Sequence, residues 1–430
     1  MRKISNREYV KERLRGHFFM EMSVENIRCF GKKQTIRLHN NGRPYNWTII
    51  LGDNGMGKTS LLKSFVSLAP SPKTIYDNSQ KLRLYPGYMD WRELWSMARH
   101  NGEKPSIISA HIVAGKKISQ LDKNSDLELS IRHGHKSFND FSYSEDSFEQ
   151  LQDFLCFAYG ASRKMGRSTL AGEKYSSASV SLFDDEAPLI NVEEFFLQAD
   201  YEAKTSRSSS SVEQREKIKK LLIDILPDVS NLRIAKDKRS SARSVQLLTK
   251  FGWVRVSEMS LGYKSLIAWV VDFASRMYHY HRTKPNPFDQ PAVVLIDEID
   301  LHLHPKWQRK IINYLTKKFR NTQFIASAHS PLIVQAALEA NLVLLTRKGG
   351  QVIIDNDTQV IKNWRIDQIL TSDLFGLSSA RSESTEKVMN ARRKILMKDS
   401  GSKSDKKKLA NLESQLDYIP VAETPEYIEA

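Results

Sequence analysis

Trp47-Thr48-Ile49-Ile50-Leu51-Gly52-Asp53-Asn54-Gly55-Met56-Gly57-Lys58-Thr59-Ser60 is the stretch from which the rest of the chain can be read. Its first five residues predict a short apolar strand, and Lys58 to Leu68 carries the spacing of a helix. Between them, Gly52 to Thr59 fits the pattern GxxxxGK[ST]. Strand, glycine loop, then helix is the context a phosphate-binding loop requires. The glycines let the backbone fold closely round a polyphosphate, with N–H groups pointing inward at the positive end of the helix. Lys58 would reach the β- and γ-phosphates, and the Thr59 hydroxyl would bind Mg²⁺. Gly52, Asn54, Gly55, Gly57, Lys58, Thr59 and Ser60 are thus the candidate ATP-binding residues. The competing reading is a plain glycine turn.

Farther along, Val293-Val294-Leu295-Ile296-Asp297-Glu298 sets two carboxylates at the end of an apolar strand. Alone, such a pair could cap a helix or sit in a loop. After a phosphate loop it reads as a Walker B element. Asp297 would then hold Mg²⁺, while Glu298 would orient and deprotonate an attacking water. Upstream of it, Ser260-Leu261-Gly262 opens a long helical pattern from Leu261 to Tyr278. Ser260 would cap a helix in any protein. Ser-x-Gly at a helix start just before Walker B also looks like the signature motif of ABC ATPases, where helix N-terminus and hydroxyl face an anion. His329, in Phe324-Ile325-Ala326-Ser327-Ala328-His329-Ser330-Pro331, ends the next strand. A lone histidine is commonly structural, but this one stands where that family's switch histidine senses the γ-phosphate. Asp300 resembles the D-loop residue of the same family. His302 and His304 invite a metal reading, yet on a turn they are expected to pack or hydrogen-bond. No Q-loop glutamine stands out among Gln80, Gln120 and Gln150. Tyr159-Gly160-Ala161-Ser162-Arg163 is either a turn approaching nucleotide or a surface loop.

The order phosphate loop, Ser-x-Gly, Asp-Glu strand and histidine resembles the RecF/SMC branch of ABC-type ATPases. More narrowly, DEIDLHLHPKWQRK, Gln323–Pro331 and SDLFGL (Ser372–Leu377) are similar to bacterial stand-alone AAA-family ATPases of the PtuA-like kind. So are WTIILGDNG (Trp47–Gly55), FAYGASR (Phe157–Arg163), LFDDEAPLINVEEF (Leu182–Phe195) and the tail LDYIPVAETPE. The resemblance implies an α/β fold: an ABC-type ATPase head with a mixed β-sheet and flanking helices, an inserted lobe and a helical C-terminal tail. It also implies ATP and Mg²⁺ as cofactors, and a homodimer or higher even-numbered oligomer. Each ATP would lie between Lys58, Thr59, Asp297, Glu298 and His329 of one copy and Ser260–Gly262 of another. In that group the Septu anti-phage ATPase, also found beside some retrons, works with an HNH nuclease, so an effector nuclease is the implied partner. Relatives of the OLD type carry a Toprim nuclease domain. Asp355 and Asp357 lack its matching glutamate, so the chain is not expected to be the nuclease itself. The rival reading is a RecF/SMC-like DNA-repair ATPase that binds nucleic acid.

Around these motifs, Ser5-Asn6-Arg7-Glu8 has capping-box spacing and predicts an N-terminal helix over 1–19. The nucleotide-binding head is expected over 20–69 and 245–360, an inserted strand and helix lobe over 70–244, and a helical segment over 361–430. Ser382–Leu416 reads as two basic amphipathic helices joined around Gly401. Ala203–Ser211, AKTSRSSSS, is polar and of low complexity. The 430 residues are 40% hydrophobic and 27% charged, an ordinary globular composition. No apolar run approaches the ~18–20 residues of a transmembrane helix, and the basic N-terminus lacks a signal peptide's apolar core. No membrane association is expected. Cys29 and Cys156 make no disulfide framework, so a cytoplasmic location fits. The net charge of +15 favours a polyanionic partner such as nucleic acid, or serves solubility.

Overall fold

Strands buried on both faces need unbroken apolar runs, and three such runs build the centre of the molecule. The computed structural model describes residues 16–76, 82–86, 105–117, 120–131, 154–166, 179–205, 209–226, 228–236, 243–357, 364–397 and 402–416. Within it, Trp47–Leu51, Ala292–Ile296 and Thr322–Ser327 are buried at every position. They lie in a six-stranded sheet of order Cys156–Tyr159, Ala292–Ile296, Thr322–Ser327, Trp47–Leu51, Asn341–Lys348, Gln351–Asp355. Neighbours are parallel except for the final pair. That pair closes through Gly349-Gly350, whose φ values of 56° and 78° suit a two-residue hairpin. Four strands therefore release their following loops on one edge: the glycine loop, Gly160, Asp297 and Ala328.

A second, antiparallel sheet has the order Gln34–Arg37, Gly16–Glu25, Ser106–Lys117, Gln120–Ile131. The helix Lys58–Leu68 packs between the two sheets. Its Leu61, Leu62, Phe65 and Val66 share one core with Met22, Val24, Ile36, Ile108 and Ile112 from one sheet, and with Ile50, Leu295, Ile325 and Val343 from the other. Each such side chain contributes about 1.5–3 kcal/mol by leaving water. Gln323 is a polar exception in this interior. Its amide donates to the Phe19 carbonyl (2.7 Å) and its oxygen accepts the Phe19 N–H (2.9 Å). One side chain thus completes both backbone bonds of a residue in the other sheet.

Helices Val192–Thr205 and Ser209–Ile225 pack on each other and on a three-stranded antiparallel sheet, Val229–Lys236, Arg243–Thr249 and Gly252–Arg255. The helix Leu261–Tyr280 runs beside them. The described residues from 364 onward belong to a separate compact unit, in which Glu383–Leu396 packs on Lys403–Leu416 and Arg392 bridges Glu413 at 3.2 Å.

The structure redraws several expected boundaries. Gly16–Phe19, placed in an N-terminal helix, opens the strand Gly16–Glu25, because its Phe18 and Phe19 are both fully buried in sheet contacts. The remainder of that expected helix lies outside the described residues. The stretch 70–244 is not a separate lobe: Cys156–Tyr159 completes the central sheet beside Ala292–Ile296, and Ser106–Lys117 pairs with Gly16–Glu25. A strand's partner is chosen by long-range packing, which local spacing does not show. The unit break falls at 363, not 360. The low-complexity stretch Ala203–Ser211 is helical at both ends, over 203–205 and 209–211.

Asp272, inside the Leu261–Tyr280 helix, has a side chain only 2% exposed and meets Arg276 at 2.7 Å. It also accepts the Tyr159 hydroxyl at 2.9 Å. Removing one partner of a buried ion pair strands the other's charge. Asp272→Ala is therefore expected to cost about 3–5 kcal/mol, read as a lowered urea-unfolding midpoint that Asp272→Ala/Arg276→Met largely restores.

Candidate functional site

The glycine loop leaves the central strand at Leu51 and ends at Gly57, the N-cap of the Lys58–Leu68 helix, in a left-handed conformation with φ 86°. A Cβ there would lie 2.4 Å from Cys29 Sγ and 3.0 Å from the Phe30 ring. Only glycine fits both constraints. Lys58 is buried, and its ammonium donates to the Gly52 carbonyl (2.7 Å) and the Asp53 carbonyl (2.9 Å). Burial lowers its pKa below the usual lysine value, while the charges of Asp297, Glu298 and Asp53 pull the other way. Asp53, Asn54 and Gly55 are exposed at the loop's crest, and Ser60 is buried in the first helical turn.

Across the sheet edge, the Thr59 hydroxyl donates to Asp297 Oδ2 at 2.6 Å. The two expected metal-binding residues are thus adjacent in space although far apart in sequence. The other carboxylate oxygen, Asp297 Oδ1, accepts from the Ser327 hydroxyl at 2.5 Å. That same hydroxyl oxygen accepts the Glu298 N–H at 2.7 Å. Ser327 therefore ties both carboxylate residues to the neighbouring strand. Nothing in the sequence marks it beyond being the last residue of a buried strand. Hard oxygen donors of this kind suit Mg²⁺, so the residues present fit the metal.

Glu298 has φ 49°, a left-handed conformation uncommon outside glycine, asparagine and aspartate. Its carbonyl accepts Arg163 Nη2 at 2.8 Å, and the Asp297 carbonyl accepts Arg163 Nη1 at 3.0 Å. The turn Tyr159–Arg163 thus meets the Asp-Glu pair directly. It leaves the strand Cys156–Tyr159, which is parallel to Ala292–Ile296. Gln80 and Gln150 lie outside the described residues, and Gln120 begins the strand Gln120–Ile131.

His329 is exposed, and its backbone N–H donates to both Asp300 carboxylate oxygens, at 3.2 and 3.1 Å. Gln308 braces this corner by donating to the carbonyls of Asp300 (3.2 Å) and Leu303 (3.0 Å) and accepting from Ser330 Oγ (2.7 Å). His304 caps the helix Pro305–Lys318, its Nδ1 accepting the Lys306 N–H at 3.2 Å. Among the described residues no three or more His, Cys, Asp and Glu side chains gather into a metal-binding group, His302 and His304 included. Ser260 is the N-cap residue of Leu261–Tyr280, but its side chain accepts no N–H from the helix. Ser260 and Leu261 are exposed, whereas Gly262 is buried where a Cβ would come within 2.2 Å of the His302 carbonyl oxygen. The Ser-x-Gly turn therefore rests on the segment that follows Glu298.

A lysine-bearing glycine loop and an Asp-Glu strand end, facing each other on one edge of a parallel sheet, define a P-loop nucleoside-triphosphatase domain. Residues 48–335, more than half of the chain, match the family model described as "AAA domain, putative AbiEii toxin, Type IV TA system", and the chain belongs to that AAA family. The chain is similar to the Septu protein PtuA of Bacillus mycoides, with 25% identity over 86% of this chain and 46% of that protein. It is also similar to the "Retron Ec83 probable ATPase" of Escherichia coli, with 34% identity over 43% of this chain and 32% of that one. The "Retron Vc95 probable ATPase" of Vibrio cholerae is 24% identical over 76% of this chain and 74% of that protein. The chain thus spans less than half the length of the first two relatives. Among solved structures, an SMC head bound to the C-terminal winged-helix domain of ScpA aligns with TM-score 0.44 and 13% identity, over 79% of this chain and 97% of that one.

Gly57→Ala tests the loop geometry. The left-handed backbone alone costs a non-glycine residue about 1–2 kcal/mol, and the contact with Cys29 Sγ adds to it. Binding of a fluorescent ATP analogue is expected to weaken more than about tenfold. Gly55→Ala, with φ 79° but nothing within 4 Å of its Cβ, should lose less.

Proposed function

We propose that this chain is a Mg²⁺-dependent regulatory ATPase that encloses ATP between two copies and controls an effector nuclease in a bacterial defence complex. The observation that carries the reading is the Thr59–Asp297 contact at 2.6 Å beneath the glycine loop. It juxtaposes the phosphate-binding and water-activating halves of a hydrolytic site. The loop N–H groups and Lys58 bind the phosphates. Thr59 and Asp297 hold Mg²⁺, which when bound neutralises charge on the phosphate oxygens. Glu298 accepts the proton of the water that attacks the terminal phosphorus, and His329 reads the γ-phosphate from the next strand.

The second copy enters through Ser260. Its hydroxyl is unspent and exposed at the start of a long helix, as an anion-binding group acting on a neighbour requires. Charge stabilisation supplied by another subunit is worth roughly 10³–10⁵ in rate in other phosphoryl-transfer enzymes. A lone copy is therefore expected to bind ATP but turn over slowly. The defence role rests on similarity to the Septu and retron ATPases, and the HNH-type nuclease partner on the resemblance to PtuA-like ATPases carried by the sequence motifs. The +15 charge supports a second reading, a DNA-binding repair ATPase. Steeply salt-dependent duplex binding by the isolated protein would favour that one.

Two experiments test the reading. Glu298→Gln is expected to retain ATP, to lose about 10²-fold or more in hydrolysis, and to accumulate ATP-dependent dimers in sedimentation. Unchanged turnover would remove Glu298 as the base. Lys58→Ala and Ser260→Arg should each be inactive alone, yet recover activity on mixing, since one of the two junctions in a mixed dimer keeps both residues. Absence of recovery would place both residues in a single-copy site.

A further inference from the structure

Two sequence motifs without an assigned role, Phe157–Arg163 and Leu182–Phe195, meet in the structure. Ser162 Oγ donates to the Asp185 carbonyl at 2.7 Å. Leu189 exchanges backbone hydrogen bonds with Lys164 (2.8 Å) and Gly166 (2.9 Å). Asn191 Nδ2 donates to the Gly166 carbonyl at 2.8 Å. Gly160 lies so close to Ser181 that a Cβ would stand 1.9 Å from its carbonyl oxygen. The segment 181–191 therefore clamps the turn that carries Arg163.

The clamped arginine is unusual in what it binds. Its residue is 2% exposed and adopts φ 37°, a second left-handed non-glycine residue beside Glu298. The guanidinium fork grips two consecutive backbone carbonyls, those of Asp297 and Glu298, and among the described residues no carboxylate is hydrogen-bonded to it. Its buried Nε has no acceptor among the described residues. Burial pushes its pKa down to about 10, against the opposing pull of Asp297, Asp300 and Glu298, so it stays charged at neutral pH. Burying a cation that only holds a turn is an expensive way to stabilise a fold, since a neutral donor would avoid the desolvation. The arrangement gains its purpose from what it fixes: a strained Glu298 backbone persists only where its surroundings over-determine it.

We propose that Arg163 is a positioning residue for hydrolysis, holding the Asp297–Glu298 turn in its left-handed conformation and offsetting the mutual repulsion of Asp297, Glu298 and Asp300. It acts through the backbone of the proposed base, not on the nucleotide, so its removal reduces turnover and leaves ATP affinity in place. The inference rests on the ATPase reading above. Because a lysine keeps the charge but not the two-pronged fork, and a glutamine keeps donors but not the charge, the two replacements separate the effects.

The test compares Arg163→Gln, Arg163→Lys and Glu298→Gln with the wild-type protein. Turnover, the Kd of a fluorescent ATP analogue and the thermal unfolding midpoint are measured for each. Arg163→Gln is expected to lower kcat at least about tenfold, as loss of a geometric constraint on a catalytic group does. Its Kd should stay within about threefold of wild type, below one decade of affinity. Arg163→Lys should be intermediate in kcat with the same Kd. Wild-type kcat in Arg163→Gln, with Glu298→Gln inactive, would overturn the role of Arg163 and leave the ATPase reading standing. Absence of ATP hydrolysis by the wild-type protein would overturn that reading itself, and full activity in Glu298→Gln would remove Glu298 as the base that Arg163 is proposed to position. Equal loss of affinity and turnover at an unchanged midpoint would make Arg163 a nucleotide ligand, which also overturns the proposal. Should Arg163→Gln fail to fold, Arg163→Lys decides: reduced kcat at wild-type Kd supports positioning, and wild-type kcat refutes it.

Discussion

The hydrogen bonds that converge on Asp297 organise the rest of the structure. Its carboxylate accepts from Thr59 of the loop helix and Ser327 of one neighbouring strand. Its backbone N–H donates to the Tyr159 carbonyl of the other neighbouring strand at 2.8 Å, and its own carbonyl accepts Arg163. One residue is thereby tied to three separate stretches of chain. A buried carboxylate is tolerable only when its lone pairs are satisfied, and here that requirement fixes where the strand ends stop relative to one another.

The same neighbourhood joins the two halves of the candidate site within a copy. Tyr159 spends its backbone carbonyl on Asp297 and its hydroxyl on Asp272, midway along the helix that begins at Ser260. At that helix's start, Gly262 lies directly against the His302 carbonyl, so the helix cannot shift inward without meeting the segment after Glu298. A packed core has discrete arrangements and little continuous give. The Ser-x-Gly turn and the Asp-Glu turn are consequently one mechanical piece.

What the sequence made legible follows the range of the interactions. The apolar runs Trp47–Leu51, Ala292–Ile296 and Thr322–Ser327 announce themselves because a two-sided burial leaves no room for alternation. Pro305 at the first turn and the glycine pattern before Lys58 are equally local signals. The adjacency of Thr59 and Asp297 could be anticipated from motif order. Ser327 and Arg163 could not be given a part from sequence, because both act through contacts made at a distance: a hydroxyl shared with a backbone N–H, and a fork on two carbonyls. The place of Cys156–Tyr159 beside Ala292–Ile296 could not be read from the sequence, since nothing in four residues names a partner. Phe18 and Phe19 fall within the expected 1–19 helix, and only their burial in the second sheet shows that they belong to the strand Gly16–Glu25.

The Gln323 side chain has a mechanical consequence. By completing both backbone bonds of Phe19, it rivets the outer sheet to the central one, with the loop helix sandwiched beneath the rivet. Sliding of one layer over the other would strip two buried polar groups of their partners at once. The two layers therefore travel together, as a piston moves without changing shape, and a push at the glycine loop would carry both sheets at once.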